Sequence, residues 1–582
     1  MPRLRLALAQ TNPVVGNFSG NADGLVAAAR RARDAGADIL LAGEMALSGY
    51  PIEDLAAQPS FLRAAHDAVP ALAERLEAEG LGDLVVVVGY PDGPFEPRLL
   101  GSSNAPTAVA QNAAAVLQHG AIQARYAKHH LPNYSVFDEY RIFIPGDELL
   151  VLRTARPGEP AADVALIICE DLWRDGGPVG RVLQADAGLL LVINASPFER
   201  DKDDVRLPLV TRRAQETDTI VAYVNIVGGQ DDLVFDGDSV VVDGAGAILA
   251  RAPQFEEYLL LVDVDPDEAT DTPLPEHVAR VDITLPASPD PADLARDVAV
   301  LPDDREQLWN ALVLGLRDYV RKNRFPSVVL GLSGGIDSSV VAALATDAIG
   351  ADNVYGISMP SRYSSPGSKD DAAELAERLG IHFSVQAIAD LVAPIEEQLQ
   401  LTGTAAENVQ ARIRGMIWMA ESNMHGHLAL TNGNKTEVAV GYSTIYGDAA
   451  GGFAPIKDVP KTLVWELARW RNEHARSRGE TEPIPVASIE KPPSAELRPD
   501  QTDQDTLPPY ELLDAILELY VTQRLGREDI VAQGFDHDTV FFVAKLVDQS
   551  EWKRRQGAIG PKISGMAFGR DRRLPITYRP NL

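Results

Sequence analysis

Short apolar runs alternate with longer segments of helical periodicity along most of the chain. In the first half, apolar runs at 4–9, 39–41 and 84–88 predict strands, and the stretches 21–35 and 61–79 predict helices. Further apolar runs predict strands at 108–117, 164–168, 189–193, 220–225 and 239–242. Because several of these runs contain no polar alternation, the strands need cover on both faces, and the first half is predicted to be α/β.

The second half repeats this alternation around one Gly-rich turn. A helix is predicted at 305–323, a strand at 327–332, a turn at 333–338 and a helix from Ser339 onward. Strands at 354–358 and 427–430 and helices at 368–379 and 409–424 follow. This succession predicts a doubly wound parallel sheet that binds a nucleotide at the carboxyl ends of its strands.

Between the two halves, the sequence becomes rich in Pro and Asp and loses its periodicity, which is typical of a linker. We therefore expect three parts: an N-terminal domain at 1–265, a linker at 266–303 and a C-terminal domain at 304–582.

The turn SGGIDSS at 333–339 can hold an anion. Gly334 and Gly335 carry no Cβ, so the backbone can approach a ligand closely, and the free N–H groups of the next helix point into the same space. The spacing matches neither the dinucleotide-binding fingerprint nor the Walker loop, because no Lys follows the glycines and Asp337 lies within the turn. A plain Gly-Gly-Asp turn is the alternative.

The segment S-G-G-I-D-S resembles the loop of the ATP pyrophosphatase group, whose members cleave ATP between the α and β phosphates and leave an adenylated substrate. The resemblance implies ATP as a co-substrate. It also implies Mg²⁺, since a carboxylate such as Asp337 repels a polyphosphate unless a hard cation lies between them. The implied ATP-binding loop consists of Gly331, Leu332, Ser333, Gly334, Gly335, Ile336, Asp337, Ser338 and Ser339.

Three polar residues stand at the ends of predicted strands in the first half: Glu44, Lys128 and Cys169. Taken singly, they are ordinary features: a loop carboxylate, a surface cation and a small buried side chain. Together, in the settings E-x-x-x-x-G-Y-P, K-x-x-L-P and C-E-D-x-W, they resemble the nitrilase or carbon-nitrogen hydrolase superfamily over residues 3–265. That resemblance implies a nitrilase-like αββα sandwich.

The chemistry of that superfamily needs these three residue types. A thiol is mostly protonated near neutral pH, so a nearby cation and a carboxylate base must supply the thiolate that attacks an amide carbon. The resemblance implies Cys169 as the nucleophile, Glu44 as the base and Lys128 as a stabiliser of the oxyanion. It adds Glu139 as a further catalytic carboxylate, with a structural salt bridge to Arg141 or to a neighbouring residue as the alternative.

The glutaminases of the superfamily also imply a set of substrate contacts. The implied glutamine-binding residues are Tyr134, Glu170, Ser196 and Lys202. At the last position some relatives have Arg, and Lys lacks the bidentate fork with which Arg binds a carboxylate.

The segment TNGNKTE at 431–437, followed by VAVGYSTIYGDAAGG, closely resembles NAD synthetases. The resemblance implies that Glu437 contacts the deamidated dinucleotide and joins Asp337 as a second Mg²⁺ ligand. It implies further ATP contacts at Thr431, Asn432, Lys461 and Ser494, and further dinucleotide contacts at Asn408 and Lys553. Many relatives carry Thr in place of Asn432.

From the residues alone, three of these positions are equally consistent with a structural role. Asn408 can cap a helix, Lys461 can be a solvated cation and Ser494 can be a plain loop residue.

Composition narrows the functional classes. The chain has 582 residues, 45% of them hydrophobic and 24% charged, which is ordinary for a soluble globular protein. The net charge of −31 disfavours nucleic acid and anionic membranes as partners. Cys169 is the single cysteine, so no intramolecular disulfide forms, and no apolar run approaches the length of a membrane span. We expect a cytoplasmic protein.

Together the motifs resemble the glutamine-dependent NAD synthetase family. This implies hydrolysis of L-glutamine in the first domain and ATP-dependent amidation of nicotinic acid adenine dinucleotide, through an adenylated intermediate, in the second. Family members are multimeric, so a homo-oligomer is expected. Two alternatives remain: a glutamine-fed ligase that acts on another carboxylate or carbonyl substrate, and a non-catalytic nucleotide sensor. A role in RNA modification is disfavoured by the net charge.

Overall fold

The computed structural model describes residues 2–95, 98–99, 107–287, 294–499 and 501–577. The chain forms two compact units: unit 1 comprises Met1–Gly228 and Phe235–Pro302, and unit 2 comprises Gly229–Val234 and Asp303–Leu582. Within the described ranges, every helix is too short or too polar to cross a membrane.

The first half of the chain is built mainly from strands. They are β1 Leu4–Gln10, β2 Ile39–Ala42, β3 Val85–Asp92, β4 Arg98–Leu99, β5 Thr107–Ala108, β6 Gln111–Gln118, β7 Ala121–Ala127, β8 Leu149–Ala155, β9 Ala162–Ile168, β10 Leu189–Asn194, β11 Ile220–Asn225, β12 Val227–Gln230, β13 Leu233–Asp236, β14 Val240–Val242, β15 Ile248–Arg251, β16 Tyr258–Val264 and β17 Val278–Thr284. The helices are α1 Phe18–Asp34, α2 Pro59–Ala78, α3 Glu139–Ile142, α4 Glu170–Trp173, α5 Gly177–Gln184 and α6 Asp203–Thr217.

Two mixed sheets form the centre of unit 1. One has the order β16-β1-β2-β3-β6-β7 and the other the order β15-β14-β11-β10-β9-β8-β17. Alternate residues of β1 explain the layering: Leu6 and Leu8 belong to the core that both sheets share, whereas Ala7 and Ala9 pack in the cluster formed with α1 and α2. Unit 1 is therefore an αββα sandwich, as predicted.

The segment 266–303, interpreted above as a linker, contributes an edge strand. β17 pairs in parallel with β8, with Val278 opposite Leu149. The strand was not predicted because Pro- and Asp-rich segments flank it. Its residues are also mostly exposed or half-buried, because β17 lies at the edge of the sheet. Residues 288–293 of the predicted linker lie outside the described residues.

Unit 2 is built mainly from helices around one small sheet. The helices are α7 Asp304–Lys322, α8 Ile336–Ile349, α9 Pro366–Leu379, α10 Ala389–Leu399, α11 Thr404–His425, α12 Lys435–Val440, α13 Lys461–Ser477, α14 Val486–Glu490, α15 Tyr510–Leu517, α16 Arg527–Ala532, α17 His537–Gln549 and α18 Glu551–Arg554. The strands are β18 Val328–Gly331, β19 Val354–Ser358, β20 His382–Val385 and β21 Leu428–Ala429.

The sheet has the order β20-β19-β18-β21, and all its pairs are parallel. This confirms the predicted parallel sheet, in which β18 is an inner strand. The predicted start of the following helix at Ser339 is wrong, because α8 begins at Ile336 with Gly335 as its extended N-cap residue. Asp337 and Ser338 therefore lie in the first turn of the helix, and the turn between strand and helix is shorter than predicted.

Candidate active sites

The catalytic candidates of unit 1 follow the ends of strands. Glu44 comes after β2, Lys128 directly after β7 and Cys169 directly after β9. Lys128 Nζ lies 2.8 Å from Glu44 Oε1, and each of these side chains is 1% exposed. Cys169 is buried as well, and the charges of Glu44 and Lys128 act on its thiol. The three predicted residues thus form one buried cluster.

The carboxylate of Glu44 is held by three donors. Lys128 Nζ and Asn112 Nδ2 donate to Oε1 at 2.8 and 2.7 Å, and the N–H of Ala195 donates to Oε2 at 2.9 Å. Sequence reasoning misses Asn112, because it lies within a strand and its role depends on the pairing of β6 with β3. These bonds fix the orientation in which Glu44 can exchange a proton.

Glu139 lies on the other side of the Lys128 ammonium. Its Oε2 is 2.9 Å from Lys128 Nζ, and its Oε1 accepts a hydrogen bond of 2.9 Å from Tyr50. The alternative salt bridge to Arg141 does not form, since Arg141 pairs with Asp54 and Asp138. Burial raises the pKa of Glu139 to about 7, although the Lys128 charge opposes this rise.

The cluster sets the charge states of its cation and its thiol. Burial alone would lower the pKa of Lys128, but Glu139 and Glu44 raise it well above its usual value, so the ammonium stays charged. Burial, followed by the charge of Glu44, raises the pKa of the Cys169 thiol well above its usual value. The resting nucleophile is therefore a thiol whose proton must be removed during attack.

The backbone at Cys169 is unusual. Its φ of 44° and ψ of −98° lie in a region that residues with a Cβ rarely adopt. The N–H of Cys169 donates to the carbonyl oxygen of Ile193 at 3.0 Å, and its own carbonyl accepts a hydrogen bond from Leu172 at 2.9 Å. A sharp turn of this kind between strand and helix is typical of nucleophiles that project from a strand end.

Asp171 ties the Lys128 loop to the Cys169 turn, and sequence reasoning did not assign it. Oδ1 accepts from the backbone N–H of His130 at 2.7 Å and of His129 at 3.1 Å, while Oδ2 accepts from Tyr126 OH at 2.7 Å and from the N–H of Ile168 at 3.3 Å. Burial raises the pKa of Asp171 to about 6, against these hydrogen bonds. The C-E-D sequence was the available signal, because Asp171 is two residues from the nucleophile.

A cavity of about 560 Å³ opens beside the cluster. It is lined by His130, Leu131, Glu170, Trp173, Arg174 and Asp175. Two predicted glutamine contacts meet at this cavity, since Tyr134 OH donates to Glu170 Oε2 at 2.8 Å.

The other two predicted glutamine contacts adjoin the site without lining the cavity: Lys202 lies against Trp173 of the lining, and Ser196 follows Ala195, whose N–H binds Glu44. Lys202 Nζ lies 4.9 Å from the ring centroid of Trp173, and the cavity lining does not include Lys202. Ser196 is buried, and its N–H donates to Asn225 Oδ1 at 2.9 Å.

In unit 2, the Gly-rich loop requires glycine at one position. Gly334 has a φ of 76°, and a Cβ there would lie 2.3 Å from the carbonyl oxygen of Ser368. The next residue, Gly335, is the N-cap residue of α8, and the hydroxyls of Ser338 and Ser339 donate back to its carbonyl at 3.0 and 2.9 Å. The N-terminus of this 14-residue helix, which is the positive end of its dipole, therefore faces the loop. Such a site favours the binding of a phosphate.

The two predicted carboxylates of unit 2 share one ammonium. Lys461 Nζ forms an ion pair with Asp337 Oδ2 and lies 3.7 Å from Glu437 Oε1. Asn434 Nδ2 donates to Asp337 Oδ1 at 2.9 Å, and Asn434 Oδ1 accepts from the N–H of Glu437 at 3.0 Å. Lys461 is 1% exposed, so its alternative role as a solvated surface cation is wrong.

Burial and the neighbouring Asp337 raise the pKa of Glu437 to about 8, although Lys461 opposes this rise. A hard divalent cation would relieve the repulsion between the two carboxylates. Mg²⁺ commonly uses one or two protein carboxylates and completes its shell with water and substrate phosphate, so the donor set fits. Among the described residues, no group of three His, Cys, Asp or Glu side chains could hold a metal without such outside ligands.

Two aromatic side chains that the sequence reasoning did not assign enclose Lys461. Its Nζ lies 5.3 Å from the ring centroid of Tyr510 and 5.6 Å from that of Trp465. Tyr510 OH donates to Asp503 Oδ2 at 2.8 Å. Burial and the charge of Glu437 raise the pKa of Tyr510, so it remains a neutral donor.

The remaining predicted ATP contacts lie on two loops. Asn432 Nδ2 donates to the carbonyl of Gly331 at 2.9 Å, which places Asn432 at the first residue of the predicted ATP loop. Thr431 is buried, and its N–H donates to Phe453 O at 2.9 Å. Ser494 is exposed, and its hydroxyl accepts a hydrogen bond of 3.1 Å from the N–H of Glu496 within its own loop.

The predicted dinucleotide contacts Asn408 and Lys553 meet at one loop. Asn408 Oδ1 accepts from Thr444 Oγ1 at 2.7 Å, and Lys553 Nζ donates to the carbonyls of Gly441 and Ser443 at 2.7 and 2.9 Å. Asn408 lies inside α11, whose N-cap residue is Gly403, so the alternative of a helix cap is wrong.

Comparisons with known proteins agree with this division into two sites. The carbon-nitrogen hydrolase family model matches residues 5–274, and the NAD synthase family model matches residues 308–557. The glutamine-dependent NAD(+) synthetase of Thermotoga maritima is 44% identical over 100% of this chain and 99% of its own length. That of Rhodobacter capsulatus is 45% identical over 99% of both chains.

Among solved structures, the glutamine-dependent NAD+ synthetase of Acinetobacter baumannii, in complex with adenosine diphosphate, is similar. It is 36% identical, has a TM-score of 0.71, and the similarity covers 99% of this chain and 98% of that one.

Proposed function

The chain belongs to the glutamine-dependent NAD(+) synthetase family, and from this premise we propose which residues carry out each half of the reaction. The enzyme hydrolyses glutamine and uses the released ammonia to amidate nicotinic acid adenine dinucleotide, with ATP as the activating co-substrate. Full-length similarity to these synthetases disfavours both alternatives, the ligase for another substrate and the non-catalytic sensor.

The observation that carries the assignment in unit 1 is the buried contact between Lys128 and Glu44 beside Cys169. Cys169 Sγ attacks the side-chain amide carbon of glutamine while Glu44 accepts the thiol proton. Lys128 stabilises the oxyanion, because its ammonium stays charged between two carboxylates. Glu139 keeps Lys128 in place from the opposite side.

The tetrahedral intermediate then collapses and leaves a thioester on Cys169. Glu44 returns the proton to the departing nitrogen, so that ammonia leaves as a neutral nucleophile. In the second half of the cycle, Glu44 takes a proton from water, whose oxygen attacks the thioester and frees glutamate. Glutamine is bound in the cavity by Glu170 and Tyr134, with Ser196 and Lys202 as the further contacts that the resemblance implies.

In unit 2, residues 331–339 and the first turn of α8 bind the ATP phosphates. Lys461 neutralises the phosphates as the dinucleotide carboxylate attacks the α-phosphate, because it is the buried cation between the two carboxylates. Asp337 and Glu437 would hold Mg²⁺, which when bound offsets the charge of the departing pyrophosphate. Thr431, Asn432 and Ser494 complete the ATP site, and Asn408, Glu437 and Lys553 hold the dinucleotide.

We also propose that the enzyme acts in the cytoplasm as a homo-oligomer, as the family resemblance implies. Light scattering on the purified protein measures the number of subunits, and a monomer at all concentrations would contradict this proposal.

One experiment tests the proposed chemistry. The purified enzyme receives ATP, Mg²⁺, nicotinic acid adenine dinucleotide and either glutamine or an ammonium salt, and NAD and AMP are measured. We expect equal amounts of NAD and AMP with either nitrogen source. If ATP yields ADP instead, or no nucleotide product forms, the adenylation mechanism fails.

A further inference from the structure

The cavity of unit 1 contains a charge pair whose cation the family resemblance did not assign. Three of its six lining residues are charged: the carboxylates of Glu170 and Asp175 and the guanidinium of Arg174. Asp175 is paired with Arg213 at 2.8 Å, which leaves Glu170 and Arg174 as the pair that contact each other. His130 is uncharged near neutral pH, because burial and then the charge of His129 lower its pKa to about 4. Among the described residues of the lining, Arg174 is therefore the permanent cation.

Arg174 is oriented by two contacts. Its Nε donates to Glu170 Oε1 at 2.8 Å, and its guanidinium carbon lies 5.6 Å from the ring centroid of Tyr134. Tyr134 OH in turn donates to Glu170 Oε2 at 2.8 Å. The Glu170 carboxylate is thus held from both sides, and it fixes the Arg174 side chain through Nε alone.

The outer edge of the guanidinium is available to a ligand. In the described part of the chain, Arg174 Nη1 and Nη2 have no protein hydrogen-bond partner, and the side chain is 54% exposed. Two parallel N–H groups match a carboxylate in a bidentate geometry that Lys does not offer. The head group of an α-amino acid carries one ammonium and one carboxylate, which is the charge pattern that Glu170 and Arg174 complement.

We propose that Arg174 binds the α-carboxylate of glutamine through Nη1 and Nη2, beside the α-ammonium at Glu170. This inference rests on the proposed glutaminase function of unit 1. It gives Arg174 the contact that the family resemblance implies for Lys202, whose ammonium lies against the ring of Trp173. Arg174 is then a specificity residue: it selects an amino acid amide over a simple amide.

Two analogues of glutamine distinguish direct binding of the carboxylate by Arg174 from an indirect effect in which Arg174 only orients Glu170. Glutaramate keeps the carboxylate and lacks the ammonium, whereas γ-aminobutyramide keeps the ammonium and lacks the carboxylate. Ammonia release by the full-length enzyme is measured, with each analogue as a substrate or as a competitive inhibitor. Arg174→Ala should raise the KM for glutamine about 10- to 100-fold, as expected for a lost hydrogen bond between charged groups, with little change in kcat.

The same variant should weaken glutaramate binding by a similar factor and leave γ-aminobutyramide binding unchanged. Arg174→Lys should recover part of the affinity through its charge. If Arg174 acts only by orienting Glu170, γ-aminobutyramide binding weakens and glutaramate binding does not, which overturns the proposal. A carboxylate-specific loss in Lys202→Ala that is absent in Arg174→Ala overturns it as well.

Arg212→Ala is the matched control. Arg212 Nη2 lies 3.6 Å from Asp175 Oδ1, so the variant removes an equal charge near the cavity without touching Glu170. Its KM for glutamine should equal that of the wild type. An equal rise in KM in Arg212→Ala and Arg174→Ala would mean that any positive charge near the cavity attracts glutamine, which overturns the proposal. If neither analogue binds the wild type, the KM values for glutamine test the proposal alone. A rise in Arg174→Ala that Arg174→Lys partly reverses and that Arg212→Ala does not show supports it, and any other pattern overturns it. A wild-type enzyme that releases no ammonia from glutamine contradicts the proposed function instead.

Discussion

Asn434 donates a hydrogen bond of 2.9 Å to Asp337 across 97 positions of sequence. The same side chain caps α12 by accepting from the N–H of Glu437 at 3.0 Å. One amide therefore joins the two segments that supply the proposed Mg²⁺ ligands, and it fixes their relative orientation.

Substitutions at Asn434 should separate stability from activity. Asn434→Ser keeps an oxygen that can cap α12 but removes the donor to Asp337 without adding a charge, so we expect most of the thermal stability to remain and a large loss of ammonium-driven NAD synthesis. Asn434→Ala also loses the cap, which typically costs about 1 kcal/mol. Thermal unfolding and initial rates measure the two effects. Equal stability of the two variants would argue against the capping role.

Removal of the nucleophile should affect one nitrogen source only. In Cys169→Ala, we expect no NAD synthesis from glutamine and an unchanged rate from ammonium salts, because unit 2 does not use the thiol. Asp337→Ala should abolish both rates. The production of NAD in paired assays measures this difference, and loss of both activities in a folded Cys169→Ala enzyme would contradict the proposed division between the units.

The raised pKa of Glu437 predicts proton release on metal binding. Glu437 has a pKa of about 8, so it is mostly protonated at pH 7 in the metal-free enzyme, whereas a metal ligand must be ionised. Mg²⁺ should therefore displace close to one proton at pH 7 and almost none at pH 9, and its affinity should rise with pH up to about 8. Calorimetry in buffers with different ionisation enthalpies counts these protons. Glu437→Gln should release none, and release that persists in this variant would place the proton elsewhere.

Asp171 should act as a positioning residue for glutamine hydrolysis. Its two oxygens accept four donors, and an asparagine side chain at this position would present an amide group to two of them, so Asp171→Asn should loosen the loop that carries Lys128. We expect glutaminase kcat to fall about 10- to 100-fold, the effect of losing hydrogen bonds to a charged acceptor. Ammonium-driven synthesis should be unaffected.

The pH profile distinguishes this role from a general loss of folding. Asp171 has a pKa of about 6 and accepts these bonds fully only when ionised, so wild-type glutaminase activity should decline as the pH falls through 6. In Asp171→Asn this decline should disappear from the residual activity. An unchanged acid limb would mean that another group titrates there.

Glutamine hydrolysis is predictable from the sequence because Glu44, Lys128 and Cys169 stand in settings that resemble the nitrilase superfamily, whereas the half-exposed strand β7 before Lys128 gives no signal of its own. The supporting residues could not be inferred in this way. Asn112 lies within a strand and reaches Glu44 only because of the pairing between β3 and β6. Asp171 accepts three of its four hydrogen bonds from backbone N–H groups, and the residue types in the sequence do not reveal such bonds.

In unit 2, the resemblance paired Asp337 with Glu437 and assigned Lys461 on its own to ATP, and the structure shows that the Lys461 ammonium contacts both carboxylates. The start of α8 was misplaced because Ile336 and Asp337 have no strong helix signal, while Gly335 supplies the extended N-cap residue that begins the helix. The strand β17 was missed because an edge strand need not show an apolar pattern.

The backbone of Cys169, with φ 44° and ψ −98°, suits glycine better than any residue with a side chain. Glycine at that position should fold with less strain than cysteine does, so the local gain in stability comes with the loss of the sulfur. Cys169→Gly should therefore resist thermal unfolding at least as well as the wild type while it loses glutamine use. At this turn, a relaxed backbone and a reactive sulfur exclude each other.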